Sequence, residues 1–438
     1  MTVQPGALHR HARPARWQGR LKAWRGSSVY SRCIDILAAT TAASLPWSTT
    51  ATGILVALWI VVLAPAIDWS EFSLNLSHPA CALPLAFFGL AIVGVLWSEG
   101  PWSASLHGIG PVSKLLVISL LLYHFQRSRG GIWVFTAFLG SCTLLMILSW
   151  IVLFVPELKI ARTVSDGVPV KNYIDQSQEF ALCAFALARP ALILFRERQW
   201  GRFVGCMVLI LAFVANMLFV ASARTALIYM TVLLMLFAAL HLRWRAMLAL
   251  FAGTAVASVL VWTTSPYLRQ RIADIAVEYQ GHDSKLVSTA QRLNYWRKSL
   301  TFIATAPLMG HGTGSIKTQF EHDAIGQTGL RAEVVNNPHN QTLNVLVQWG
   351  LIGGFVLYGM WLSHLLLFRG EGLAAWIGLV TVVQNVVSSL LNSHLFDFHE
   401  GWMYVLGVGV AGGMLLGGKG PKRLPAPAIA TDMTGAGR

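Results

Sequence analysis

Three short motifs carry the side chains that could do chemistry on an anionic substrate. They are Ser222-Ala223-Arg224-Thr225-Ala226, Gln291-Arg292-Leu293-Asn294-Tyr295-Trp296, and the stretch from Asn336 to Leu343. Arginine is always charged, and its planar fork pairs with two oxygens of one phosphate. Arg224 and Arg292 are therefore candidate phosphate ligands. Trp296 shares a helix face with Arg292, four residues earlier, and can seat that helix.

The third motif places a histidine where a long apolar stretch begins. Asn337 is a good helix N-cap and Pro338 a good first helical residue, so the sequence predicts His339 in the first helical turn. The helix dipole disfavours a protonated imidazole there, and a general base must be neutral before it takes a proton. His339 is the candidate base, with Asn340 beside it.

Each motif also has a purely structural interpretation. Arg224 can be an interfacial arginine that snorkels to the headgroups. Arg292 and Trp296 can belong to an amphipathic helix on the membrane surface, and His339 can be a structural histidine at a helix start. Chemistry is favoured because the predicted topology brings all three motifs to the same side of a membrane.

The composition indicates which elements must position these residues. Of the 438 residues, 55% are hydrophobic and 12% are charged, and a soluble domain carries about twice that charged fraction. These values exclude an ordinary soluble enzyme and predict an all-α polytopic membrane protein. The net charge of +14 fits the excess of Lys and Arg on cytoplasmic loops better than binding to nucleic acid.

Apolar stretches long enough to cross a bilayer predict about twelve transmembrane helices. They lie near residues 33–47, 50–66, 81–97, 111–125, 132–155, 176–195, 203–221, 224–241, 246–262, 340–368, 373–391 and 401–417. The positive-inside rule then places both termini in the cytoplasm. The predicted organisation is a basic cytoplasmic arm (1–32), transmembrane helices one to nine (33–262), a large periplasmic loop (263–338), helices ten to twelve (339–417) and a cytoplasmic tail without regular structure (418–438).

Two outer connections are basic, although outer connections are usually poor in Lys and Arg. The first contains Arg162 and Lys171, which are secondary candidates for holding an anion. In the second, the large loop, helical spacing of apolar residues predicts two amphipathic helices, near 268–279 and 293–303. A glycine triple at 310–314 then predicts a turn.

Other polar groups receive no assigned role. Asp175 and Glu179 open the sixth span and can orient a basic residue or serve as the base themselves, and Arg189 farther along is predicted to snorkel or pair. His394, Asp397, His399 and Glu400 cluster in the last outer connection, without a strong metal-ligand spacing. The sequence contains no Asp-x-Asp, His-Glu-x-x-His, P-loop or Gly-x-Ser-x-Gly motif, so metal-dependent sugar transfer, zinc proteolysis, P-loop ATP hydrolysis and a serine nucleophile elbow lack support.

The order of these motifs resembles the O-antigen ligase family, a superfamily that also includes O-antigen polymerases and bacterial protein O-oligosaccharyltransferases. The resemblance rests on Ser-x-Arg-x-Ala, then a large outer loop with Arg-x-x-x-Trp and Gly-x-Gly, then His-Asn-x-x-Leu opening a span, and it covers roughly residues 170–370. It implies inverting transfer of a polysaccharide from undecaprenyl pyrophosphate to lipid A–core oligosaccharide. It also implies that the reaction uses neither metal nor cofactor, at the periplasmic face of the bacterial inner membrane.

By the same resemblance, Arg224 and Arg292 would bind the pyrophosphate and His339 would be the base. Members of the family often enter the sixth span with an Asn-Pro-Asn-like sequence. Here the entry reads Asn172-Tyr173-Ile174-Asp175-Gln176, so no role is carried onto it. The alternatives are an O-antigen polymerase, a protein O-oligosaccharyltransferase and, from a different class, a lipid or sugar transporter. A transporter is expected to show repeated halves with broken helices and functional charge near the midplane.

Overall fold

The computed structural model describes residues 27–163, 165–220, 223–265, 269 and 288–418. Across these ranges the regular structure is helical, and no β-strand occurs in them. The N-terminal arm up to residue 26, nearly all of the predicted amphipathic helix at 268–279 and the tail after Gly418 lie outside the described residues.

Sixteen α-helices make up the described part of the chain. They are α1 (Ser28–Ser44), α2 (Thr49–Leu63), α3 (Trp69–Leu76), α4 (Pro79–Val93), α5 (Trp102–Ser113), α6 (Leu116–Phe125), α7 (Gly131–Phe154), α8 (Tyr173–Arg196), α9 (Trp200–Phe219), α10 (Arg224–His241), α11 (Trp244–Thr264), α12 (Ser288–Thr305), α13 (Ile316–Ala324), α14 (Gln341–Leu367), α15 (Leu373–Ser389) and α16 (Phe398–Gly418). The second predicted loop helix, near 293–303, is confirmed as α12.

Eight helical segments of the described chain are long and apolar enough to cross a membrane. They are Thr49–Ala66, Trp102–Phe125, Gly131–Phe154, Tyr173–Arg196, Trp200–Phe219, Trp244–Thr264, Gln341–Leu367 and Phe398–Gly418. A ninth candidate is the pair α3 and α4, which bends by 84°, and α10 and α15 contain shorter apolar helices. The all-α polytopic membrane fold is thus confirmed, and the number of twelve spans stays a prediction.

Helix α16 lies at the centre of the bundle because its glycines let a neighbour approach closely. A Cβ at Gly409 would lie 2.5 Å from the side chain of Leu121, and one at Gly413 would lie 2.7 Å from that of Phe125, both on α6. Small residues at this spacing allow close packing of helices in membranes. In contrast, no residue of span α11 is buried in the protein, although several are partly covered.

Helix α14 is broken at Gly350, where the backbone takes φ 57° and ψ −154°. The segment 307–314 fits into this break. Four backbone hydrogen bonds join the two. They run from Leu351 N–H to Pro307 O (2.8 Å), from Ile352 N–H to Leu308 O (3.3 Å), from His311 N–H to Val347 O (2.9 Å) and from Gly312 N–H to Gln348 O (2.8 Å). The backbone groups released by the break are therefore satisfied, as the interior of a membrane protein requires.

The predicted glycine turn is confirmed in the same segment, since Gly310, Gly312 and Gly314 all have positive φ. Above it, α12 and α13 pack against α14 through a small apolar cluster. Its buried members are Tyr295, Phe302, Ile316, Phe320 and Val347. The cluster fixes α12 over the start of α14, which brings the second sequence motif to the third.

Candidate functional site

The turn that follows α15 is the centre of the candidate site. Its three successive carbonyl oxygens accept hydrogen bonds from two other elements: Leu390 O from Asn340 Nδ2 (2.8 Å), Leu391 O from Arg292 Nη1 (3.2 Å) and Asn392 O from the backbone N–H of Gln341 (3.1 Å). The last carbonyls of a helix have no partner within the helix. Here these carbonyls accept hydrogen bonds from α12 and from the entry of α14, so the two elements meet at this turn.

His339 lies just before α14 and not inside it. The helix begins at Gln341, and its N-cap is Asn340, whose Oδ1 accepts the backbone N–H of Leu343 at 3.1 Å. His339 has φ 54°, in the left-handed region, which non-glycine residues adopt infrequently. The prediction that Asn337 caps this helix and that His339 occupies its first turn is therefore wrong.

Asn337 stabilises the turn before the helix instead of capping the helix. Its Oδ1 accepts the backbone N–H of His339 at 2.9 Å and the hydroxyl of Ser393 at 2.7 Å. This Asx-type turn reverses the chain at His339, so the helix can start only after Asn340. Asn337 and Asn340, three residues apart, both suit an N-cap. The sequence pattern alone did not show which of them would cap the helix.

The imidazole of His339 is half-buried between α12 and the turn after α15. Its Nδ1 is 2.8 Å from Asn392 Oδ1, and its ring centre is 6.3 Å from that of Tyr295. Burial lowers the pKa of His339 below its usual 6.5, the hydrogen bond to Asn392 acts in the opposite direction, and the charge of Arg292 lowers the pKa further. The neutral form is favoured as the sequence predicts, but burial rather than a helix dipole is the main cause.

Arg292 and Trp296 hold α12 to this centre from one helix face. The indole Nε1 of Trp296 donates to Pro338 O at 3.1 Å, which confirms that Trp296 seats the helix. Arg292 is half-buried, and its charge lowers the pKa values of both His339 and His394. The permanently charged guanidinium of Arg292 is thus held near the imidazole of His339.

Helix α10 begins at Arg224, as the first motif predicts, but the side chain of Arg224 lies outside the described part of the structure. The backbone of the preceding residue, Ala223, is described by the structure. The N–H of Ala223 donates to Ser177 Oγ at 3.2 Å. Ser177 lies in the first turns of α8, two residues after Asp175, so the start of α10 lies against the start of α8.

The secondary candidates separate into two groups. Asn340 contacts the turn after α15, whereas Lys171 donates a hydrogen bond to Leu45 O and lies among buried carboxylates. Burial lowers the pKa of Lys171, and Glu179 and Asp175 oppose this effect. Arg162 is exposed on the connection before α8.

Arg189 lies far along α8 from this end of the bundle. It is half-buried and close enough to His241, at the end of α10, to interact with it electrostatically. Its position separates it from the cluster around His339.

A polar cavity of about 270 Å³ lies on the other side of Asn392. It is lined by Asn172, Ile174, Asp175, Asn392, Asp397, Phe398, His399 and Glu400. Burial raises the pKa of Asp397 to about 6, and Asp175 Oδ2 is 3.5 Å from His399 Nδ1. Within the described ranges, no three His, Cys, Asp or Glu side chains converge as ligands of a metal.

Asn392 is the residue that sequence reasoning missed. It joins the imidazole of His339 to this cavity, since its Nδ2 is 3.4 Å from Asp397 Oδ2. The stretch Leu391-Asn392-Ser393 has neither a motif nor a periodicity, and it is 53 residues away from His339. Only the folded chain brings the two together.

The family model described as O-antigen ligase matches residues 207–358. The match begins in α9 and ends in α14, so it includes Arg224, Arg292, Trp296 and His339, whereas Asp175 and Asn392 lie outside it. No curated protein matches the chain. The match to residues 207–358 and the order of the three motifs make this part of a polytopic membrane protein similar to the O-antigen ligase family.

Proposed function

We propose that the protein is an O-antigen ligase, which transfers polysaccharide from undecaprenyl pyrophosphate to lipid A–core oligosaccharide. The family match supports a membrane glycosyltransferase of the ligase or polymerase kind. The observation that supports transfer from a pyrophosphate donor is the convergence of Arg292 and His339 on the turn 390–392. A cation and a neutral imidazole at one place are what the transfer requires. The choice of ligase over polymerase rests on the resemblance of the motifs.

In the proposed reaction, a hydroxyl of the acceptor sugar attacks the anomeric carbon of the donor. The bond from this carbon to the pyrophosphate oxygen breaks as the bond to the acceptor oxygen forms, with inversion. His339 accepts the hydroxyl proton. Arg292, with Arg224 at the start of α10, stabilises the negative charge that develops on the leaving pyrophosphate, and such preorganised donors act strongly where water is excluded.

The remaining candidates support this centre. Trp296 and Asn340 hold the loop that carries His339. Arg162 is exposed on the connection before α8 and can extend the positive charge toward an approaching anionic headgroup, whereas Lys171 is engaged by Leu45 O and by neighbouring carboxylates. An apolar cavity of about 170 Å³ lies deeper in the bundle, between α1, α7, α8, α15 and α16, and is suited to hold part of the polyprenyl chain.

We place this site at the periplasmic face of the bacterial inner membrane, with both termini in the cytoplasm. The starts of α8, α10 and α14 and the turn after α15 gather at the end of the bundle that holds the site. The connections at the opposite ends of α8 and α10 carry Arg196, Arg198, Arg243 and Arg245. The positive-inside rule assigns such connections to the cytoplasm.

The decisive experiment compares a strain that lacks the gene with its parent and with complemented strains. A gel of lipopolysaccharide is read beside an assay of the lipid-linked glycan pool. We expect free lipid A–core together with long polymer retained on the lipid carrier, and restoration by the wild-type gene but not by His339→Ala. Lipid A–core capped with one repeat unit would indicate a polymerase instead. An unchanged lipopolysaccharide ladder would overturn both the ligase and the polymerase assignment, and would favour protein glycosylation or transport.

A further inference from the structure

We propose that Asn392 is a positioning residue, which holds the imidazole of His339 with Nδ1 as the hydrogen-bond donor and Nε2 as the atom that takes the proton. The inference rests on the proposed function, because it assigns an orientation and a tautomer to the base of that reaction.

The hydrogen bonds around Asn392 determine which way its amide faces. Its Nδ2 lies 3.4 Å from Asp397 Oδ2 and its Oδ1 lies 2.8 Å from His339 Nδ1. The opposite orientation would set the amide oxygen against a carboxylate, and neither could donate. An amide oxygen only accepts hydrogen bonds, so the proton of the neutral imidazole must reside on Nδ1 of His339. The lone pair of the base is therefore on Nε2.

The backbone of Asn392 is fixed independently of its side chain. Its carbonyl oxygen accepts the N–H of Gln341, the first residue of α14, at 3.1 Å. The neighbouring Leu391 O accepts from Arg292 at 3.2 Å. One turn thus orients the base and contacts the cation, which keeps the two groups at a constant separation. A base oriented by a third group is a recurring arrangement in nucleophilic and acyl-transfer catalysis.

Among the residues that the structure describes, four titratable or charged groups lie near the imidazole. Arg292 and Tyr295 face it from α12, and His394 and Asp397 come from the connection between α15 and α16, the latter through Asn392. Arg292 is the nearby cation that disfavours a protonated imidazole. A carboxylate in place of the Asn392 amide would favour the protonated form instead, because an opposite charge stabilises it.

The test measures transfer from lipid-linked donor to lipid A–core as a function of pH, using the full-length protein in detergent. The Asn392→Asp protein also carries Asp397→Asn, so that the new carboxylate faces an amide donor rather than a second carboxylate. This variant keeps the shape and the acceptor, and we expect the acid limb of kcat/KM to move upward by about one pH unit or more. Asn392→Ala removes the acceptor, and we expect kcat to fall by about tenfold or more, as part of the 10²–10⁴-fold contribution of a base. KM should change little, since Asn392 holds the base rather than the substrate.

Leu390→Ala is the matched control. Leu390 lies in the same turn, its side chain is exposed, and its described contact with the site is made by its backbone carbonyl, which the substitution keeps. Its acid limb should stay at the wild-type pH even if the protein becomes less stable. Thermal unfolding of each variant separates loss of fold from loss of orientation, and Asn392→Asp, being isosteric, remains informative if Asn392→Ala does not fold.

An Asn392→Asp protein whose acid limb coincides with that of the wild type overturns the inference, as does an Asn392→Ala protein with full kcat. Both results leave the proposed function intact, because they require that the wild type performs the transfer. A folded wild-type protein that transfers nothing to lipid A–core overturns the proposed function, and this inference with it.

Discussion

Trp296 donates a hydrogen bond from its indole Nε1 to the carbonyl oxygen of Pro338, directly before His339, at 3.1 Å. The bond joins α12 to the entry of α14. Arg292 is four residues earlier on α12, about one helical turn away. One helix therefore sets the position of both the candidate base and the candidate cation.

Trp296→Phe keeps an aromatic ring but removes the indole N–H together with the five-membered ring that carries it. A lost hydrogen bond of about 0.5–1.5 kcal/mol that acts on the position of His339 should lower kcat by about two- to tenfold. Steady-state transfer assays measure this effect. Trp200→Phe, on the exposed surface of α9, is the control and should leave kcat unchanged. Equal rates for both variants would mean that the Trp296 bond does not position the base.

His339→Ala should reduce transfer by about 10²–10⁴-fold, the contribution of a general base, while the protein still folds. The readout is initial velocity with saturating donor, together with the unfolding temperature. His107→Ala, at an exposed histidine on α5, should behave as the wild type. Near-normal transfer by a folded His339→Ala protein removes His339 from the role of base.

Arg292→Ala should depress turnover by about a hundredfold or more, since one preorganised charge contact to a developing anion is worth a few kcal/mol. Arg292→Lys should recover only part of the rate, because lysine keeps the charge but not the planar fork. Arg224→Ala should show a loss similar to that of Arg292→Ala.

Arg297→Ala provides the control for these variants, since Arg297 is exposed on the same helix α12. Its turnover should equal that of the wild type. A loss as large as that of Arg292→Ala would mean that the net charge of α12, and not the placement of one guanidinium, governs the rate.

The pH profile of kcat/KM should be flat at neutral pH and should decline in acid, at a pH below 6.5. Burial lowers the pKa of His339, the bond to Asn392 opposes this, and Arg292 lowers the pKa again. A base acts only when it is deprotonated, so activity is lost as the pH falls through this lowered pKa. Arg292→Ala removes a neighbouring positive charge and should move the acid limb of kcat/KM to higher pH. A wild-type limb above pH 6.5 contradicts the assignment.

Gly312→Ala should destabilise the fold, by about 1–3 kcal/mol for crowding alone. Gly312 has φ 85°, and a Cβ there would lie 2.3 Å from Ser98 Cα. Gly326→Ala is the control, since Gly326 has φ 74° but open space around it. A comparison of unfolding temperatures isolates the close contact from the backbone strain, and equal losses would show that strain alone is responsible.

The helices could be predicted because an apolar stretch of bilayer length has few other structures open to it. Each of the twelve predicted stretches overlaps a helix of the structure. Within them, the break at Gly350 was not predicted, because it depends on a partner that lies far away in the chain. The segment that fills the break at Gly350 is that partner. Helix α3 was not predicted either, since it lies between the stretches 50–66 and 81–97.

The candidate site was predictable where chemistry shows in residue types, as for Arg292, Trp296 and His339. It was not predictable where a turn without a pattern supplies the contact, as for Asn392. Periodicity reports which face of a helix is buried but not which turns meet. The two asparagines near His339 show the same limit, since either could cap the helix and only the tertiary contact with Ser393 decided between them.

The segment that fills the break in α14 also joins parts of the chain that are synthesised at different times. Thr313 N–H donates to Gly94 O at 3.0 Å, and Ser98 Oγ donates to Thr313 O at 2.8 Å, so the segment joins helices made early in synthesis to one made late. The turn that contacts His339 and Arg292 follows α15 and is made later still. A nascent chain that has not yet inserted its last helices therefore has no completed centre. The candidate site can form only late in synthesis.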